Sequence, residues 1–131
     1  MSAAAGQWFV AGGRTMTVRR VVANIATGDI SRARAFYTDV LDMDVVMDHG
    51  WIVTFASRAT APAQVSIASA GGSGQPVPDL SIEVDNLDEV IARLAEANLV
   101  PEYGPVVEPW GVRRLFVRDP FGRLVNILTH I

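Results

Sequence analysis

Two stretches of the chain repeat one arrangement of apolar and polar positions. Between Gly28 and Asp44, the residues Ala33, Phe36, Tyr37, Val40 and Leu41 fall at i, i+3, i+4, i+7 and i+8, the apolar stripe of an amphipathic helix. Leu87, Val90, Ile91, Leu94 and Ala95 fall at the same spacings between Asn86 and Asn98. Asp29 or Ser31 is available to cap the first helix. Asn86 with Glu89 forms a capping-box-like start to the second, and Asn98 suits a left-handed end. Each helix follows a strand-like run, at 17–27 and 79–85, and precedes three more. In the first half these are 44–49, 51–57 and 63–69; in the second they are 102–108, 112–118 and 123–130. Matching Ile25 and Ile30 to Ile82 and Leu87 gives a constant offset of 57 residues, so the chain reads as a tandem repeat.

That order predicts an α+β fold of two βαβββ modules, about 17–69 and 79–131, in one domain. Helices would cover one face of the sheet and leave a concave groove on the other. The "AGGSGQPVP" stretch at 70–78 reads as a flexible linker, and residues 1–16 as a flexible tail.

Composition narrows the function classes. The chain has 131 residues, is 50% hydrophobic and 19% charged, and carries a formal net charge of −3. Nothing in that balance points to nucleic acid or an anionic membrane as a partner. The absence of cysteine removes disulfides, thiol nucleophiles and every zinc site built on Cys. No run approaches the roughly 18–20 apolar residues of a membrane span. "GGSG" lacks the Lys-Ser/Thr of a phosphate loop and leads to proline, not to a helix.

"IATGDISRARAFYTDVLDMDVV" and "EPWGVRRLFVRDPFGRLVNIL" resemble the opening and closing signatures of the vicinal oxygen chelate superfamily, which holds glyoxalases, dioxygenases and bleomycin-resistance proteins. The resemblance spans residues 17–131 and implies a glyoxalase/bleomycin-resistance-like fold. Metal enzymes of that superfamily draw four ligands from His, Glu and Gln at equivalent strand positions. Carried onto this chain one at a time, those positions hold Val22, Ser66, Asp79 and Asn126. Valine cannot coordinate, and Ser66 and Asn126 are weak neutral donors, so the set predicts no metal and no other cofactor. His49 and His130 fall at none of the four positions and read as surface residues.

Strand alternation places Ser81 and Glu83 on the face of Asp79, and Asn24 on the face of Val22. With Trp51, Phe55, Trp110 and Phe116 as apolar walls, Asp79, Glu83, Asn126 and Asn24 form the candidate ligand-binding set. Arg113, Arg114, Arg118 and Arg123 read as a solvated edge that discourages strand-to-strand aggregation. The resemblance therefore implies a metal-independent protein of the bleomycin-resistance type. It would bind a small aromatic or cationic compound by sequestration, as in antibiotic resistance, and be a bacterial, cytoplasmic homodimer. The alternative is a lyase, isomerase or dioxygenase of the same superfamily, with Asp79 or Glu83 as general base.

Overall fold

A computed structural model describes residues 16–60 and 63–131. The tail expected at 1–16 lies outside these residues, apart from Met16. Eight strands, β1 (Val18–Ala26), β2 (Asp44–Asp48), β3 (Ile52–Ala56), β4 (Gln64–Ala68), β5 (Leu80–Val84), β6 (Tyr103–Glu108), β7 (Val112–Arg118) and β8 (Leu124–His130), form one sheet. Helix α1 (Ala33–Tyr37) follows β1 and helix α2 (Leu87–Glu96) follows β5. The strand order is β2-β3-β4-β1-β5-β8-β7-β6. Pairing is parallel between β1 and β4 and between β5 and β8, and antiparallel elsewhere.

The two modules meet edge to edge. β1 pairs with β5 in a register that sets Arg20 beside Glu83 and Val22 beside Ser81. One chain therefore builds a continuous sheet whose concave face draws on both halves.

The other face carries two cores, one per helix. Val84, Leu87, Val90, Leu115 and Val117 pack in the second module, with Ile82, Ile91, Leu94 and Met16 against them. Asn86 caps α2 by accepting from the Glu89 amide at 3.1 Å, and Asn98 ends it at φ 58°, so the local signals act where the pattern placed them. Ala33, Val53, Phe55 and Ile67 form the first-module core, flanked by Ile30, Tyr37 and Val45.

The first helix departs from expectation. Regular α-helix covers only five residues and follows a 3-10 turn at Ile30–Arg32. Asp29 makes no capping bond to the helix backbone; its carboxylate instead accepts from the Ser31 hydroxyl. Beyond Tyr37 the chain loosens. Asp39 and Leu41 bond five residues back, and Asp42 turns left-handed at φ 58°. Phe36, Val40 and Leu41, three of the five residues of the expected buried stripe, are exposed.

The closing hairpin turn is built by Asp119. Its carboxylate accepts from the amides of Phe121 at 2.8 Å and Arg123 at 2.9 Å, while Gly122 takes φ 81°. Phe121 itself projects into solvent, so this signature shapes the hairpin and contributes nothing to the groove.

Candidate functional site

The concave face encloses a cavity of about 580 Å³, within the usual size of small-molecule sites. Alternation decides which side chains reach it. Val22 and Asn24 of β1, Ile52 and Thr54 of β3, Ser66 of β4 and Ser81 of β5 face inward, and Arg114 of β7 and Asn126 of β8 join them.

A row of neutral polar groups crosses the floor over five neighbouring strands. The Thr54 and Ser66 hydroxyls are 2.7 Å apart, and Ser66 lies in register beside Asn24. Asn24 donates through Nδ2 to Ser81 Oγ at 3.0 Å, and Asn126 donates through Nδ2 to the same oxygen at 3.1 Å. Thr54, Ser66 and Asn126 are buried, and Asn126 Oδ1 has no hydrogen-bond partner.

Charges flank this floor in pairs. Glu83 meets Arg20, Oε1 to Nε at 3.2 Å, and His130, Oε2 to Nδ1 at 2.8 Å. Arg114 is 3% exposed and bonds Glu108 through Nε at 2.7 Å. It also donates to the carbonyls of Gly71 at 2.8 Å and Gly72 at 3.3 Å. Its guanidinium carbon stands 4.9 Å from the Trp110 ring centroid, 4.8 Å from Phe116 and 5.5 Å from Tyr103. Glu108 is itself buried, which pushes its carboxyl up, but bonds from Ser73, Arg114 and Tyr103 outweigh burial and hold it below the usual carboxylate range.

The mouth is aromatic. Trp51 and Trp110, one from each module, meet edge to face with centroids 5.3 Å apart, and His49 stacks on Trp51 at 6.0 Å. Gly72 lies between the tryptophans: a Cβ on it would stand 2.8 Å from Cη2 of each.

Several expectations are corrected by this geometry. Asp79 does not enter the groove. It precedes β5, is exposed, and its carboxylate accepts from the Leu124 amide at 3.0 Å. Phe55 and Phe116 are buried rather than lining: Phe55 faces the helix-side core, and Phe116 packs on Tyr103 and Arg114. Trp51 and Phe55 do not share a face, because Trp51 precedes the first residue of β3 and escapes its alternation. Arg114 is the opposite of a solvated edge residue. The 70–78 stretch is held in place by Arg114 and by the bonds Gly71 N to Gln75 O at 2.8 Å and Gln75 N to Gly72 O at 2.9 Å. Trp51, Trp110, Asn24, Glu83 and Asn126 do line the cavity. His49 and His130, read as surface residues, line it as well, although both remain exposed.

Two edge-joined βαβββ modules around a single-chain groove define a recognisable class. The family model for the Glyoxalase/Bleomycin resistance protein/Dioxygenase superfamily matches residues 18–127, and the chain belongs to that superfamily, within the vicinal oxygen chelate fold. Among curated proteins, none matches the chain. A superfamily member from Vibrio splendidus is 20% identical, with 88% of this chain and 100% of that one covered and a TM-score of 0.60. Methylmalonyl-CoA epimerase from Mycobacterium tuberculosis is also 20% identical, with 87% of each chain covered and a TM-score of 0.58. A Legionella pneumophila structure described as an NAD-dependent benzaldehyde dehydrogenase reaches a TM-score of 0.67 at 13% identity, covering 86% of this chain and 100% of that one. Descriptions this varied at such identities carry the fold and leave the chemistry open.

The metal that the superfamily's enzymes use does not suit these residues. Val22 has no donor atom, Ser66 is bonded to Thr54, Asn126 offers one neutral oxygen, and Asp79 is turned away. Among the described residues, no cluster of three or more His, Asp or Glu could hold an ion. Nor is any described helix long and apolar enough to cross a membrane.

Proposed function

We propose that this protein binds a small organic molecule in its groove without a metal ion. The observation that carries the reading is the floor. Two of the positions where the superfamily's metal enzymes place ligands hold Ser66 and Asn126 here, with Thr54, Asn24 and Ser81 beside them, and these neutral groups bond one another in two sets, Thr54 with Ser66 and both asparagines with Ser81. Such a floor recognises a ligand by hydrogen bonds, and the two tryptophans add an apolar wall. Sequestration, as in antibiotic resistance, follows from binding alone. Protein purified without chelator is expected to contain far less than one equivalent of nickel, zinc, iron or manganese by elemental analysis. A stoichiometric metal that protects groove residues would sink the reading. A thermal-shift screen of aromatic metabolites and antibiotics should then find ligands that raise the melting temperature.

One observation favours an enzymatic alternative. His130 and Glu83 contact each other at 2.8 Å on the cavity wall, an arrangement in which a carboxylate orients an imidazole for proton transfer. Turnover that survives chelation and disappears in His130→Gln would establish it.

We also propose a cytoplasmic homodimer. Val21 and Ile25 on the convex face of β1 are exposed, as are Phe36, Val40 and Leu41, and a second copy is the partner that would cover them. Sedimentation at micromolar concentration is expected to give twice the 14.1 kDa chain mass. A monomer would contradict this part and leave the single-chain groove intact.

A further inference from the structure

Resting on that metal-free reading of the groove, we propose that it takes an aromatic monocarboxylate and holds the carboxylate at its Arg20 end. Arg20 of β1, Gln64 of β4, Glu83 of β5 and His130 of β8 all line the cavity. Glu83 is the one carboxylate among the described lining residues, and both its oxygens are engaged. Oε1 meets Arg20 Nε at 3.2 Å, and Oε2 meets His130 Nδ1 at 2.8 Å. Arg20 Nη1 donates to Gln64 Oε1 at 2.9 Å. A guanidinium can only donate, so that bond fixes which way the Gln64 amide points. Its Nε2 then has no acceptor among the described residues, and neither has Arg20 Nη2. Both side chains are reachable, since Arg20's is 39% exposed and Gln64 is half-buried. What stays open at this end is a set of N–H donors, a guanidinium and an amide brought together by neighbouring strands.

Open donors call for an acceptor, and a carboxylate answers a guanidinium by charge-assisted bonds. An ammonium would set further donors against Arg20, with Glu83 already shared between Arg20 and His130. The second lining arginine does not compete for the anion. Arg114 commits Nε to Glu108 and its two terminal nitrogens to the carbonyls of Gly71 and Gly72. One arginine with open donors suits one carboxylate. The rest of the cavity describes the body that carries it. Val22 on β1 and Leu128 on β8 separate the Arg20 end from Asn24 and Asn126 along the same strands, and Trp51 and Trp110 stand at the mouth. An apolar step in the floor beneath an aromatic wall suits a flat ring.

The test is calorimetric titration of the full chain with 2-naphthoate, 2-naphthamide and 2-naphthylmethylammonium, which share a ring system and differ in charge. 2-Naphthoate is expected to bind best, by about ten-fold or more over the neutral amide, and the ammonium least. Arg20→Met should abolish the preference for naphthoate over naphthamide, and Gln64→Leu should narrow it. If Arg20→Met does not fold, Gln64→Leu decides by the same comparison, because it leaves the contact between Arg20 and Glu83 in place. Equal binding of the three compounds, or a preference that the deciding variant leaves undiminished, overturns the carboxylate assignment while leaving a metal-free aromatic groove standing. Failure of all three to bind overturns it too, and the metal content then decides separately whether the groove reading survives. Naphthoate binding that chelation abolishes overturns both, since a metal ion rather than Arg20 would then hold the carboxylate.

Discussion

Arg114→Met is expected to lower stability by about 3–5 kcal/mol, because it leaves the buried Glu108 carboxylate without its cation. For a domain of this size that loss corresponds to a melting-temperature drop on the order of 10–20 °C. Methionine keeps much of the volume against Trp110, Phe116 and Tyr103, so the loss reports charge and hydrogen bonding more than a cavity. Its pH dependence separates the two causes. In the native protein Glu108 lies below its unfolded pKa, so its contribution is present above the ordinary carboxylate range and fades as pH falls through it. Without Arg114, the desolvation that pushes this carboxyl up is no longer outweighed to the same extent, and its burial as an anion is penalised at neutral pH. The gap between native and variant should therefore narrow as pH falls toward 4. Denaturant melts at pH 7 and pH 4 measure it, and a gap that stays constant would refer the effect to packing.

The importance of Arg114 was hidden by its neighbours in sequence. Arg113, Arg118 and Arg123 make contacts on the exposed surface with Asp88, Glu102 and Asp79, as an arginine-rich hairpin predicts. Alternation set Arg114 on the opposite face from Leu115, but nothing local indicated that this face would be covered. The cover comes from Glu108, six residues earlier, and from the carbonyls of Gly71 and Gly72, more than forty residues away. The same nonlocality explains the 70–78 stretch. Its glycines and prolines mark irregular backbone, and only the tertiary contacts show that the backbone is fixed. The fold itself was more legible, since the repeated helix spacing, the Asn86 cap and the Asp119 turn are local signals. The first helix is shorter than its periodicity predicts, because apolar spacing does not register the change to bonds reaching five residues back after Tyr37 or the left-handed turn at Asp42 that follows.

The groove floor was half legible. Each of its five strands carries a neutral polar residue with an apolar neighbour on either side: Thr54 in "IVTFA", Ser66 in "QVSIA", Asn24 in "VVANIA", Ser81 in "LSIEV" and Asn126 in "LVNIL". A single interruption of this kind is unremarkable. Their alignment into one row depends on strand register, which brings Thr54 beside Ser66, Ser66 beside Asn24, and Ser81 beside Asn126. Asp79 was misplaced for a related reason. The Asp79 backbone still bonds to Asn24 and Leu124 on either side, but its carboxylate turns to the Leu124 amide instead of the groove, a local bond that parity does not register.

Gly72→Ala is expected to disable the groove with a smaller loss of stability, about 1–3 kcal/mol. Gly72 holds φ +82°, which strains any L side chain, and the new methyl would press on both Trp51 and Trp110 at 2.8 Å. Those rings close one end of the cavity from opposite modules, so relieving the contact means parting them or withdrawing the strap that Arg114 holds. Either movement exposes indole, and tryptophan emission should shift to the red as ligand affinity falls. Gly74→Ala is the matched control. Its φ of +77° carries a similar backbone cost, but a Cβ there meets nothing within 4 Å. The control should lose comparable stability and keep both native emission and binding. Identical spectra and affinities in the two variants would show that the tryptophan pair does not form the working wall of the site.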